Sequence, residues 1–218
     1  MQNAMADRED GGATRLSDST VRSVDSLTSI PRLREIVDGA AALFDDRGYH
    51  RVSMEDIAAA VGLRKPTLYH YVRSKDEILT LIHREFMDLV ITRAEARRAV
   101  EMSAAHELLE FMADILELME THRGHVRVFF EHHRELPAAA RTVVREQRDR
   151  YEAMVETVIE RGARAGEFRP LDPRLTTLAM FGMCNWSYQW YRQEGALRTR
   201  QIAYSFWDVF LRGISAER

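Results

Sequence analysis

The stretch that most limits what this chain can become is Val52 to Ile78, VSMEDIAAAVGLRKPTLYHYVRSKDEI. Ser53 is an N-cap residue with Asp56 three positions on, the spacing of a capping box, and Ile57, Ala58 and Val61 then share one helical face. Gly62 sits where a tight turn between helices needs positive φ. Leu63 turns inward, and Pro66 suits the first turn of a short helix whose body is Thr67 to Tyr71. Ser74 and Glu77 repeat the capping-box spacing and open another helix, striped by Ile78, Leu81, Ile82, Phe86, Leu89 and Val90 and running to about Arg98. Two short helices about a glycine form a helix-turn-helix, whose second helix fits a DNA major groove.

The residue types along that second helix fit such a role. Arg64 and Lys65 stand at its positive N-terminal end, placed for phosphate or guanine, and Thr67 suits a phosphate or a thymine methyl. Tyr69, His70 and Tyr71 offer hydroxyl and ring contacts, with Ser53 a further contact candidate. Lys75 opens the next helix, whose N-terminal amides and dipole also favour phosphate. A net charge of −3 excludes a wholesale polycation, so any nucleic-acid role needs a local patch. From Arg32 to Lys75 there are eight Lys and Arg against six acids, and the only two lysines of the chain, Lys65 and Lys75, lie there. The competing reading is an ordinary α-hairpin with a solvated basic face.

The rest of the chain is helical by pattern. Residues 1–29 mix Gly, Ser, Thr, Asp and Arg without periodicity and read as a disordered tail. Pro31 opens a helix through Leu33, Ile36, Val37, Ala40, Leu43 and Phe44, ended by Gly48. Further helices are expected over Leu108–Met119, His122–Leu136, Ala138–Arg164, Arg174 to about Arg192, and Thr199 to about Ile214. No strand alternation, repeat or low-complexity tract is present. No apolar run approaches the ~20 residues of a membrane span, and the polar, acidic start is unlike a signal peptide. The lone Cys184 fits a reducing cytoplasm.

Gly48-Tyr49, Ser53-Met54, Ile57-Ala58, Gly62-Leu63, Leu68-Tyr69-His70-Tyr71 and Lys75 resemble the N-terminal signature of TetR-family transcriptional regulators, over roughly residues 32–79. One departure is Val72, where that family often has Phe; the packing is expected to tolerate it. The resemblance implies a two-part all-α chain, three N-terminal helices reading DNA and a larger C-terminal domain binding a small molecule; after the tail at 1–29, the DNA-binding domain is expected at 30–76 and the ligand-binding and dimerisation domain at 77–218. It also implies a homodimer on a palindromic double-stranded operator, usually a repressor released by a small ligand.

In the C-terminal part, the last helix has two apolar stripes, Ile202, Phe206, Val209, Phe210 and Ala203, Trp207, Leu211, Ile214. A surface helix needs one, so the pair predicts burial on both sides. The preceding helix is similar, and pairing across a two-fold axis through Phe181, Trp186, Phe206, Trp207 and Phe210 removes the exposed patch. Burial within one chain is the alternative. The run Asn185 to Arg192 holds Trp186, Tyr188, Trp190 and Tyr191, with Trp186 equally suited to packing or ligand contact. The stretch through Gly195-Ala196-Leu197 resembles TetR-type regulators of lipid and steroid breakdown that sense acyl-CoA thioesters. Near the helix end, the rings of Trp190 and Tyr191 and the cation of Arg192 suit an acidic or adenine-bearing ligand; under that resemblance Arg192 is the candidate for the ligand's anionic part, and Met112, Met119, Phe129, Phe130 and Trp186 line an apolar pocket. At helical spacing the same Met and Phe residues also read as plain core.

His122, His125, His132 and His133 match no closed zinc spacing, so no metal is expected and they read as helix-surface histidines. No phosphate loop, nucleophile elbow or paired-carboxylate motif stands out, which excludes an enzyme, and no cofactor is expected. The expected partners are operator DNA, a second copy, and a small hydrophobic effector with CoA thioesters as one class; no membrane is involved. The rival functions are a helical regulator of another hydrophobic ligand and an interaction module that never touches DNA.

Overall fold

The computed structural model describes residues 30–216, so the expected tail at 1–29 lies outside the described residues. The described residues form α1 (Pro31–Arg47), a 3₁₀ turn (Tyr49–Arg51), α2 (Met54–Ala60), α3 (Lys65–Leu68), α4 (Lys75–Arg97), α5 (Ala104–Thr121), α6 (Arg123–Glu131), α7 (Ala138–Arg164), α8 (Pro173–Asn185), a second 3₁₀ turn (Trp186–Gln189) and α9 (Thr199–Ile214). One isolated bridge, Phe168 to Ser215, ties the α7–α8 loop to the end of α9. The all-α expectation holds.

Local chemistry sets the boundaries. Pro31 occupies the first turn of α1, and the Gly48 amide donates to the Phe44 carbonyl at its end. Ser53 and Asp56 complete the capping box of α2: the Asp56 amide donates to Ser53 Oγ at 3.2 Å, and the Ser53 amide to Asp56 Oδ2 at 2.8 Å. At α4 half of the expected box forms. The Glu77 amide donates to Ser74 Oγ, but the Glu77 carboxylate accepts from the Arg73 amide, one residue earlier than a box requires. Gly62 has φ +65°, the left-handed turn between α2 and α3 that side chains resist.

Three spans differ from the sequence pattern. The α-helix at α3 stops at Leu68; the Tyr69 amide still donates to the Lys65 carbonyl, and His70 and Tyr71 continue in i→i+3 turns. Residues His132 to Leu136 leave α6, which ends at Glu131; of these, Leu136 is held out of the helical region by the following Pro137. The long helix toward Arg192 ends at Asn185; a single 3₁₀ turn follows, with Ser187 buried and its hydroxyl donating to the Met183 carbonyl. Trp190 and Arg192 therefore sit in the connection to α9.

Helices α1 to α3 pack around Leu33, Ile36, Phe44, Ile57, Leu68 and Val72, each at most 1% exposed. Val72 is fully buried, so the smaller side chain fills its site. Helices α4 and α7 cover α5, which is buried nearly all round, and α9 lies along α5 with Trp207 Nε1 donating to the Ala105 carbonyl at 2.7 Å. Helix α6 is wedged between α1 and α4. Gly124 makes that wedge possible: a Cβ there would lie 2.9 Å from the Ala41 carbonyl carbon.

Candidate nucleic-acid interface and effector cavity

The helix-turn-helix presents Ser53, Arg64, Lys65, Tyr69 and His70 as exposed residues, with Thr67 and Tyr71 half-buried beside them. Tyr69 is 44% exposed, large for an aromatic side chain. Lys65 forms an ion pair with Glu55 of α2. The Glu55 hydrogen bond raises the Lys65 pKa.

Lys75 is placed differently from the other expected contacts. Its ammonium donates to the carbonyls of Tyr49 and Val52, both at 2.9 Å, and lies 4.3 Å from the Tyr49 ring centre. The Tyr49 hydroxyl in turn donates to Asp76. This clasp fixes the first turn of α4 to the turn between α1 and α2.

Further along α4, residues of α4, α5, α6, α7 and α8 line a partly open cavity of about 280 Å³. Its apolar wall comes from Phe86, Met87 and Val90 of α4, Ile115 of α5, Phe129 of α6, and Val144 and Phe181 beyond. Phe86 and Phe129 are stacked at 4.2 Å, and Phe130 stacks on Tyr188 at 5.0 Å. The polar lining is His83, His133, Arg148, Tyr151, Glu152 and Asn185.

Of the expected ligand residues, Phe129 and Phe130 line this cavity. Met112 is fully buried core, and Met119 borders a separate, smaller cleft beside Tyr188 and Tyr191. Trp186, Trp190 and Arg192 are exposed and away from the cavity wall, because the chain leaves α-helix at Asn185. The cation at the cavity is Arg148, which the sequence marks only weakly: it lies four residues after Val144 and three before Tyr151, on the same α7 stripe.

The expected dimer residues also separate. Phe181 stacks on Tyr151 at 5.6 Å inside the protomer, Phe210 is buried, and Trp207 bonds to α5. Phe206 is half-buried with Trp190 edge-on at 6.3 Å. Trp186 faces out at 64% exposure, joined by Leu175, Leu178, Tyr204 and Val209. On α8, Leu175, Leu178, Gly182 and Trp186 recur at helical spacing, a second stripe beside the buried Thr177, Met180, Phe181 and Cys184.

The histidines are not all surface residues. His125 is 3% exposed, with Nε2 at 3.2 Å from Glu85 Oε2 and 3.6 Å from Asp38 Oδ1, tying α6 to α4 and α1. Burial opposes the Glu85 charge, yet the His125 hydrogen bond and charge outweigh it and hold that carboxyl below its usual range. Burial raises Asp38 despite the same imidazole. The same seam pairs Asp45 of α1 with Arg127 at 3.1 Å and Arg123 at 3.6 Å. Among the described residues no helix is long and apolar enough to cross a membrane.

Comparison with known proteins places both halves. Residues 36–82 match the bacterial regulatory proteins of the tetR family, and residues 101–214 match the tetracyclin repressor-like C-terminal domain. The HTH-type transcriptional repressor KstR2 of Mycobacterium tuberculosis is 30% identical over 192 residues, 85% of this chain and 94% of that protein. Its solved structure, described as a ketosteroid transcriptional regulator, superposes with a TM-score of 0.79 at 26% identity, covering 85% and 96% of the two chains. AibR in complex with isovaleryl coenzyme A and operator DNA gives a TM-score of 0.74 at 28% identity, covering 82% and 97%. These families and relatives are transcriptional regulators and not enzymes. The chain belongs to the TetR family of bacterial transcriptional regulators.

Proposed function

We propose that this protein is a cytoplasmic homodimeric repressor that binds a palindromic operator and leaves it when a hydrophobic effector enters the α4–α8 cavity. The effector class we favour is a CoA thioester of a steroid or fatty-acid fragment. One observation carries the reading: α4 is shared by both sites. Its first residue, Lys75, clasps the DNA-binding domain, and His83, Phe86, Met87 and Val90 further along it line the cavity. Eleven residues separate Lys75 from Phe86, about 16 Å along a helix, so a shift of α4 at the cavity moves its clasped end. Helix α6 adds a second link, since Phe129 lines the cavity while His125, one turn earlier, meets Asp38 of α1.

Support for the effector class comes from the apolar cavity with an exposed arginine, Arg148, on its lining, and from the isovaleryl coenzyme A bound to AibR. An acyl group suits the interior, and a cation suits the phosphates of a coenzyme outside it. Pairing rests on the uncovered apolar stripe of α8 with Tyr204 and Val209 of α9. In the operator-bound state the two recognition helices stand about 34–36 Å apart, and effector favours another separation. The DNA arm is tested by gel retardation on the DNA flanking the gene. Tyr69→Ala and Lys65→Ala should abolish retardation while the dimer stays intact by sedimentation; undiminished retardation in both variants overturns the operator assignment.

A further inference from the structure

Three ionisable side chains from separate helices converge on the seam between the two domains, outside the lining of the cavity. Asp38 comes from α1, Glu85 from α4 and His125 from α6, and one ligating atom of each lies within 4.8 Å of the other two. Glu85 and His125 are 6% and 3% exposed, whereas the Asp38 side chain is half open to solvent. Charged groups are seldom buried so deeply without full pairing, and the pairing here is incomplete. His125 Nε2 lies 3.2 Å from Glu85 Oε2 but 3.6 Å from Asp38 Oδ1, so a proton on Nε2 serves Glu85 and falls short of Asp38. Burial raises the Asp38 pKa, and the Glu85 charge adds to that rise against the pull of His125. The Arg34 guanidinium stays 3.9 Å from Glu85 Oε1 on a half-exposed side chain, and His122 Nδ1 lies 2.8 Å from Thr121 Oγ1. Two carboxylates therefore share one imidazole.

We propose that Asp38, Glu85 and His125 bind one divalent transition-metal ion of the zinc class. Zinc bonds of about 2.0–2.2 Å to imidazole and carboxylate set tetrahedral ligands about 3.3–3.6 Å apart. The distances of 3.2 and 3.6 Å from His125 Nε2 match that spacing. The imidazole selects against magnesium and calcium, which prefer oxygen shells. The ion takes the place of the Nε2 proton, which leaves to solvent, and its charge balances both carboxylates. The open side of Asp38 gives an entry path, and water completes the shell. No local spacing marks such a site, because Glu85 and His125 stand 40 residues apart. Glu85 adjoins Phe86, and His125 lies one turn before Phe129, both on the cavity wall. The ion thus fastens α1 to two cavity-lining helices, whatever effector the cavity takes.

The untagged full chain, stripped with a chelator, is titrated with Zn²⁺ by calorimetry and with Co²⁺ by visible absorption. One ion should bind per protomer with a Kd of about 1 µM or below, and bound Co²⁺ should show a spectrum unlike that of the aqueous ion. Zn²⁺ at about a hundredfold excess over Kd should raise Tm by about 5–10 °C. Asp38→Ala, at an exposed helix position, should keep the fold yet weaken binding at least about tenfold, with no more than about half the Tm rise at the same Zn²⁺. His125→Gln should abolish the Co²⁺ spectrum; if that variant does not fold, Asp38→Ala and Glu85→Gln decide. No binding, an aqueous Co²⁺ spectrum, or an affinity unchanged in Asp38→Ala overturns the site and leaves an ion-paired seam. None of these readings involves DNA or an acyl-CoA, so the operator and effector assignments are judged separately.

Discussion

Replacing Lys75 by Met separates a scaffolding role from a phosphate contact. The substitution keeps most of the apolar stem and removes the charge. Lost are two donations to the carbonyls of Tyr49 and Val52, each 2.9 Å, and a cation 4.3 Å from the Tyr49 ring. Hydrogen bonds from a charged group contribute about 1.5–3 kcal/mol each when well buried. Lys75 is half-buried, so the lower end applies, and the ring contact adds about 0.5–1 kcal/mol. Water reaching the freed carbonyls offsets part, leaving about 3 kcal/mol, or roughly 6–12 °C in Tm for a chain of this size. Thermal unfolding reads that drop. DNA binding of the folded variant, followed by anisotropy against salt, should keep its slope. An unchanged Tm with a slope reduced by about 0.9 per lost phosphate contact would refute the reasoning and make Lys75 a DNA ligand.

Further outcomes follow from other contacts. Gly124→Ala places a Cβ 2.9 Å from the Ala41 carbonyl carbon. Overpacking of about 1–3 kcal/mol should exceed the ~1 kcal/mol that Ala gains in a helix, so the denaturant midpoint falls; no change contradicts the tight α1–α6 crossing. His83 has its folded pKa depressed to about 4 from 6.5. The unfolded chain therefore binds its proton first, and stability should fall as pH drops from about 6.5 to 4, by roughly 3 kcal/mol in full; a slope identical in His83→Leu would refute this. Val209→Arg, on the uncovered face of α9, should convert dimer to monomer in sedimentation without lowering helix content, and a dimer that persists unaltered removes that face from the interface.

The DNA-binding half was legible because short-range chemistry specifies it. Capping residues, Gly62, Pro66 and the buried Ile57 and Leu68 each act within a few residues, and the structure follows them closely. Lys75 was legible in position but not in contact, since its partners Tyr49 and Val52 lie more than twenty residues earlier. The cavity was less legible. Helical periodicity marks apolar faces but not which face meets a void, so Met112 and Phe129 look alike in sequence while one is core and the other lining. His83 and Arg148 enter the cavity from α4 and α7 through tertiary packing, and their only local mark is a polar residue on an apolar stripe. The aromatic run divides for a backbone reason: Trp186 continues the outward stripe of α8, and with the helix ending at Asn185, Trp190 falls in the exposed connection to α9. For the last two helices the two-stripe argument marked both faces without sorting them: Trp186 and Val209 lie outward, while Phe181 and Phe210, expected beside them, pack inside the protomer.

The central claim is that a ligand in the α4–α8 cavity controls DNA binding. It is tested most directly by titrating acyl-CoA esters, from isovaleryl to steroid-derived, against a preformed complex of the protein with fluorescent DNA from upstream of its gene. At least one ester should lower the anisotropy to that of free DNA, with Val144→Trp, which fills the cavity, blocking the release but not DNA binding. DNA retained at saturating concentrations of every ester, or released equally well from the filled variant, would contradict the account.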